Sequence, residues 1–362
     1  MTTSRFIRDS IGIIRENQAR SGAFLASPGF SHYQYSWLRD GTFIAYAMDL
    51  VDEHQSALRF YQWCNRVVLQ HANKARQIIQ RVLSGEKNID SNLFLHTRFS
   101  VDGNEVTGEW GNFQLDGYGA WLWGLSQHLQ LTEGQGMLPM FRQAIEVTID
   151  YLSACWRLPN FDCWEEHGDQ VHSSTLAAIY GGLAAISSYL PERQKPIVHL
   201  CEQIRKFVSN ECVTNGLFDK SAGSPNIDSS LIWLSVPYGL VEVNDIRMIQ
   251  TVRGIERELL YEEGLHRYKE DTYFGGGQWI LLSAWLGWYY TQLGERDKAH
   301  RILAWIEDRY TSEGLSEQVQ DHLLAPRMYE KWVNQVGLPA KPLLWSHAMY
   351  LILASALGSG KR

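Results

Sequence analysis

Apolar residues recur at spacings of three and four along nearly the whole chain, and the strict alternation of half-buried strands is almost absent. The spacing predicts about twelve helices. They fall near 4–19, 41–51, 55–82, 115–130, 138–156, 174–189, 194–209, 227–239, 244–257, 276–292, 296–308 and 345–357. The even-numbered helices are the more apolar, as in Leu176 to Leu190, Trp279 to Tyr290 and Trp345 to Leu357. The odd-numbered ones carry more charge, as in Ile246 to Leu259 and Asp297 to Tyr310. A helix that is apolar nearly all round has to be buried, and an amphipathic one covers it. Six buried helices alternating with six amphipathic ones make a double-layered toroid, an all-α (α/α)6 barrel. No linker, low-complexity stretch or fixed-period repeat divides the chain, so residues 1–362 are expected to form one domain without a separate β-sandwich.

The segments that interrupt the helical pattern recur in register, each ahead of a buried helix. They are Tyr33 to Asp40, Glu109 to Asp116, Phe161 to Glu166, Asn226 to Ser230, Arg267 to Gln278 and Leu343 to His347. If the buried helices run parallel, these loops meet at one end of the barrel. Loops held by a rigid scaffold are where function tends to sit.

Composition narrows the classes. The chain is 45% hydrophobic and 20% charged with a net charge of −7, which describes a globular protein. There is no Lys/Arg cluster, so no nucleic-acid partner is expected. No run of about 18 apolar residues suggests a membrane span, and Met1 to Arg5 lacks the apolar core of a secretion signal. The five cysteines are scattered, odd in number and without a C-x-x-C pair, which reads as free thiols in a reducing compartment. A cytoplasmic location is expected. Most of the 14 tryptophans belong to the core, but several stand beside acids in the interrupting loops.

Candidate chemistry concentrates there. Phe161-Asp162-Cys163-Trp164-Glu165-Glu166 places three carboxylates and two aromatic rings within six residues. Glutamates ahead of a helix also suit its dipole, which accounts for one of them. His167 and His172 follow, but without metal-site spacing, and no metal is expected. In Tyr35-Ser36-Trp37-Leu38-Arg39-Asp40, the adjacent Arg and Asp read either as an ion pair before a helix or as a donor and acceptor for vicinal hydroxyls. Trp110, between Gly108 and Gly111, is either a stacking platform or a loop anchor, and Asp116 reads as a helix cap. Arg267 and Tyr273 precede Gly275-Gly276-Gly277, a turn that lets backbone approach a ligand or a neighbouring loop. Glu317 stands in a gap between helices, and His347 reads as a packed or capping residue. Two carboxylates held apart by a fold are what glycosidic-bond hydrolysis requires.

Taken in order, these motifs resemble glycoside hydrolase family 15, the glucoamylase family. They are Trp37-Leu38-Arg39-Asp40, Trp110-Gly111 with Asp116, Trp164-Glu165-Glu166, Arg267-Tyr268 with Asp271-Thr272-Tyr273, Ser316-Glu317-Gln318, and Pro342 to His347. The resemblance implies an (α/α)6 barrel and inverting release of β-glucose from non-reducing ends. It implies Glu165 as general acid and Glu317 as general base. Arg39 and Asp40 would hold the terminal glucose, while Trp37, Tyr35, Trp110, Trp164, Glu166, Arg267 and Tyr273 would shape the substrate pocket. No cofactor is implied, and the partner is an oligosaccharide substrate. The family also contains trehalases and glucodextranases. Its minimal bacterial members include enzymes that prefer α-1,6 links, so short α-1,6 or α-1,4 glucans are expected.

Overall fold

The computed structural model describes residues 5–108 and 110–358. The ends of the expected 1–362 span, the predicted helix start at Ser4, and Glu109 lie outside the described residues. The α-helices are α1 (Arg5–Glu16), α2 (Leu38–Leu50), α3 (His54–Gln70), α4 (Ala72–Leu83), α5 (Asp116–Leu131), α6 (Leu138–Cys155) and α7 (Ser173–Ser187). They continue with α8 (Gln194–Glu211), α9 (Ile246–Leu259), α10 (Ile280–Leu293), α11 (Arg296–Asp308), α12 (Pro326–Val336) and α13 (Leu344–Ala356).

Six elements close an inner ring. Helix α2 packs on α5, α5 on α7, α7 on a 3-10 helix at Ser229–Leu234, that helix on α10, α10 on α13, and α13 back on α2. Helices α1, α3, α6, α8, α9 and α11 form the outer layer against them. The layering follows from composition. All of α10 from Ile280 to Tyr290 is buried. Helix α9 instead buries one stripe, including Met248, Val252, Ile255 and Leu259. Helices α5 and α7 touch backbone to backbone, because a methyl group at Gly182 would stand 2.2 Å from the Gly119 carbonyl oxygen.

The interior of the ring is filled with aromatic rings. Phe43, fully buried in α2, stacks at 5.7 Å on Trp233 and 5.6 Å on Trp345, and also meets Trp123, Trp285 and Tyr238. Four of the 14 tryptophans belong to this cluster.

The structure departs from the helical pattern in four places. The predicted helix 227–239 is a 3-10 turn, Ser229–Leu234, followed by irregular chain. Pro237 has no N–H to continue a helix, the Asp228 carboxylate accepts from the Ser230 amide, and the Ser229 hydroxyl donates to the distant His266 carbonyl. The run 55–82 breaks at His71, whose ring bonds the Gly103 carbonyl and stacks on Phe99. Residues 276–279, predicted helical, form a turn and a short strand. Helix α12 was not expected, although Pro326 at its first turn and Tyr329, Trp332, Val333 and Val336 on one face mark it.

Two small antiparallel sheets pin the loops. Ser36–Trp37 pairs with Arg98–Phe99, setting Trp37 opposite Arg98. A four-stranded sheet joins Leu260–Tyr261, Gly264–Leu265, Gln278–Trp279 and Gln318–Val319 in that order, setting Trp279 opposite Gln318.

Truncating the central ring should be severe. Phe43→Ala is expected to lower unfolding stability by about 3–5 kcal/mol, read from the shift of a urea unfolding curve. A loss below about 1 kcal/mol would mean that the aromatic cluster does not carry the barrel.

Candidate active site

A cavity of about 410 Å³ opens at the end of the barrel where the inner helices begin, within the size range of small-ligand pockets. Loops ahead of five inner helices line it. Trp37, Arg39 and Asp40 come from the start of α2, Trp110 and Gly111 from before α5, and Trp164, Glu165 and Glu166 from before α7. Arg267, Tyr273 and Trp279 come from before α10, Trp345 from α13, Tyr33 from the same loop ahead of α2 as Trp37, and Glu317 from a separate loop. The sixth loop, 226–230, does not reach the cavity. Because inner-helix N-termini meet here, their dipoles favour negative charge.

Arg39 is the hub of one side. Its side chain is 4% exposed, and Nη1 donates to Gln114 Oε1 at 2.8 Å and to Asp116 Oδ2 at 3.1 Å. Nε lies 3.3 Å from Asp40 Oδ2, and Nη2 lies 3.7 Å from Glu165 Oε1. Asp116 is not the helix cap expected of it, because Leu115 holds that position; its carboxylate anchors this guanidinium instead. Burial pushes the Asp40 carboxyl up to about 6 even though Arg39 opposes the rise.

The loop before α7 is held tightly. Asp162 Oδ1 accepts from the Trp164 and Glu166 amides, both at 2.9 Å. Glu165 sits at φ +67°, a left-handed conformation that costs a non-glycine residue about 1–3 kcal/mol and needs surrounding support. Its Oε1 accepts from Trp37 Nε1 at 2.6 Å. Burial raises the Glu165 carboxyl, against the opposing pull of Arg39, Trp37, Gln114 and Arg98. Glu166 points to different partners. Tyr268 OH donates to its Oε2 at 2.6 Å, and Arg267 Nη2 lies 3.3 Å from its Oε1. Two neighbouring glutamates are thus separated, one on the Arg39 side and one on the Arg267 side.

Arg267 is fixed by a two-pronged pairing with Asp271, 2.8 Å from Nε and 2.5 Å from Nη2, and its guanidinium lies 5.2–5.6 Å from the rings of Trp164, Tyr273 and Trp279. Glu317, 2% exposed, follows another rule. Tyr33 OH donates to its Oε1 at 2.9 Å, and the Tyr273 hydroxyl lies 2.9 Å from that of Tyr33. With hydroxyls rather than a cation in contact, burial pushes the Glu317 carboxyl up to about 8. The loop carrying it is tied to the last inner helix: Leu315 N donates to His347 Nε2 at 2.9 Å, and Ser346 Oγ donates to the Ser316 carbonyl at 2.8 Å. Burial lowers His347 to about 3, so it serves as a neutral acceptor, as its reading as a packed residue anticipates. The glycine turn serves a neighbouring loop, since a methyl group at Gly277 would lie 2.3 Å from the Val319 carbonyl oxygen.

One residue named from the sequence is not at the cavity. Tyr35 does not line it; its ring lies 5.0 Å from the Arg98 guanidinium instead. Tyr33, brought inward by the 3-10 turn Ser31–Tyr33, takes the wall position. Arg98 itself was not anticipated. It lies 3.7 Å from the Trp110 ring and 5.9 Å from that of Trp37, directly behind the cavity wall. Its sequence neighbourhood carries no signal; only the pairing with Trp37 reveals it. Among the described residues, no group of three or more His, Cys, Asp or Glu could hold a metal ion.

The family model for Glycosyl hydrolases family 15 matches residues 6–355. The isomaltose glucohydrolase of Kribbella flavida is 41% identical over 97% of this chain and 92% of its own length. A solved glycosidase, a glutamate-to-alanine variant in complex with glucose, superposes with a TM-score of 0.94 at 40% identity, covering 98% of this chain and 96% of that one. A bacterial glucoamylase complexed with acarbose superposes at 0.79 with 18% identity, covering 99% of this chain and 56% of that one, a likeness of fold alone. A helical barrel with two glutamates on one sugar-sized pocket, and relatives of this kind over nearly its whole length, place the chain in glycoside hydrolase family 15.

Proposed function

We propose that this glycoside hydrolase is an inverting, exo-acting α-glucosidase of the cytoplasm. It releases β-glucose from the non-reducing end of short α-glucans and favours isomaltose-type α-1,6 links over malto-type α-1,4 links. The observation that carries this reading is the placement of Glu165 and Glu317 on one cavity, each with its own anchoring set. The aromatic cluster around Phe43 packs against the cavity wall through Trp345, which supports entry by chain ends only. The isomaltose glucohydrolase likeness supports the α-1,6 preference. Five free, buried cysteines support a reducing compartment, and we take the chain to act as one catalytic domain.

In this mechanism Glu165, whose carboxyl burial raises, gives its proton to the glycosidic oxygen as that oxygen leaves C1. Glu317 takes a proton from the water whose oxygen bonds to C1 from the opposite face. That arrangement needs about 6.5–9.5 Å between the carboxyls. Arg39 donates to hydroxyls of the terminal glucose and Asp40 accepts from them. Trp37, Trp110, Trp164 and Tyr273 present rings to the sugar, and Glu166 and Arg267 bind the adjoining unit. Tyr35 contributes only through Arg98.

Competence requires Glu317 ionised while Glu165 keeps its proton. Both carboxyls are raised, so the active protonation state exists at higher pH than for ordinary carboxylates. The kcat/KM profile is expected to be a bell with one limb near 8, where Glu317 exchanges its proton. An alkaline limb at or below about 5 would contradict the burial of the pair. Because a bell cannot assign two coupled groups, substitutions must. Glu165→Gln is expected to lower kcat on unactivated disaccharides by about 100-fold or more, and near-normal turnover would sink the acid role. Glu317→Ala should abolish hydrolysis, with azide restoring turnover through a β-glucosyl azide product. Full activity without azide would remove Glu317 from the mechanism. Glucose release from maltose, isomaltose, nigerose and trehalose tests the linkage, and maltose, nigerose or trehalose as the best substrate would overturn the preference.

A further inference from the structure

We propose that Lys220 positions the acid loop of this enzyme, clamping Glu165 and Glu166 from behind through Asp162, Asp228 and Tyr268 without touching substrate. The proposal rests on Glu165 acting as the general acid.

Lys220 does not line the cavity, and its side chain is 7% exposed. Nζ lies 3.1 Å from Asp162 Oδ2 and 3.0 Å from Asp228 Oδ2, two carboxylates that are themselves almost wholly buried. Each grips the loop at a different point. Asp162 Oδ1 receives the amides of Trp164 and Glu166, and the Asp162 carbonyl receives the Glu165 amide at 2.9 Å. Asp228 accepts from Trp164 Nε1 at 3.1 Å. The same ammonium lies 4.4 Å from the centre of the Tyr268 ring, whose hydroxyl donates to Glu166. The Lys220 backbone is itself anchored. Its carbonyl receives the Ser173 amide at the start of α7, and its amide donates to the Asn226 carbonyl at 3.0 Å. The loop at 226–230, the only one of the six that stays away from the cavity, thereby delivers Asp228 to the clamp.

The charges require this cation. Burial alone would raise the Asp228 carboxyl, yet Lys220 holds it below the usual range. Without the ammonium, two buried carboxylates would face each other, and one would have to take up a proton or turn away. Either change weakens the acceptors that hold the loop. Glu165, at φ +67°, has no relaxed backbone of its own to fall back on.

A positioning role predicts a dependence on the leaving group. Fluoride departs from α-glucosyl fluoride without a proton, whereas a sugar needs the acid. Lys220→Met keeps the aliphatic stem and removes the charge. Its kcat on the fastest disaccharide is expected to fall at least about tenfold more than its kcat on α-glucosyl fluoride. Lys220→Arg, which retains the cation, should restore most of that ratio. Equal losses on both substrates, or no loss, would overturn the clamp. If Lys220→Met fails to fold by circular dichroism, the same ratio is read in Asp228→Asn, where a tenfold gap supports the clamp and equal losses overturn it. Glu165→Gln is the control. If it lowers the ratio and Lys220→Met does not, the clamp fails alone; if Glu165→Gln leaves the ratio unchanged, the acid assignment fails first.

Discussion

Burying many carboxylates at one end of an apolar barrel is the constraint on which the rest of this structure turns. A charge leaves water only if it is paired and hydrogen-bonded. Three buried cations meet that demand. Arg39 serves Asp40, Asp116 and Glu165, Arg267 serves Glu166 and Asp271, and Lys220 serves Asp162 and Asp228. Glu317 is the exception, held by the Tyr33 hydroxyl. Its carboxyl is accordingly pushed up to about 8, so the group proposed as the base is also the one that ionises reluctantly. Substrate and water must then be arranged around a carboxylate that has little else to satisfy it.

The barrel makes this concentration of charge possible by separating rigid parts from chemical ones. The aromatic cluster around Phe43 and the backbone contact of Gly119 with Gly182 fix the inner ring. The short strand pairs then set loop positions to the residue, placing Trp37 opposite Arg98 and Trp279 opposite Gln318, next to Glu317. Glu165 is one of nine non-glycine residues with a left-handed backbone among the described residues, and it is braced from several directions.

The barrel was legible in the sequence because its inner and outer helices differ in composition, a local property repeated along the chain. The loops were legible because they break that repeat. What could not be read were contacts between distant residues. The Tyr33 bond to Glu317 spans 284 positions and the Trp37 bond to Glu165 spans 128. The roles of Arg98 and Lys220 exist only through partners of that kind. Tyr35 was misplaced because alternation in a short loop does not tell which aromatic turns inward, and a 3-10 turn chose Tyr33. The inner segment at 229–234 showed helical spacing, but the Asp228 carboxylate taking the Ser230 amide, and Pro237, left it a 3-10 turn.

In the proposed reaction one carboxyl protonates the leaving oxygen while the other drives water onto the opposite face of the same sugar. The anomer formed first reports this directly. Proton NMR of an α-glucosidic disaccharide, followed from the first turnovers and before mutarotation, is predicted to show the β-anomeric signal of glucose alone. Initial accumulation of the α-anomer would contradict the account.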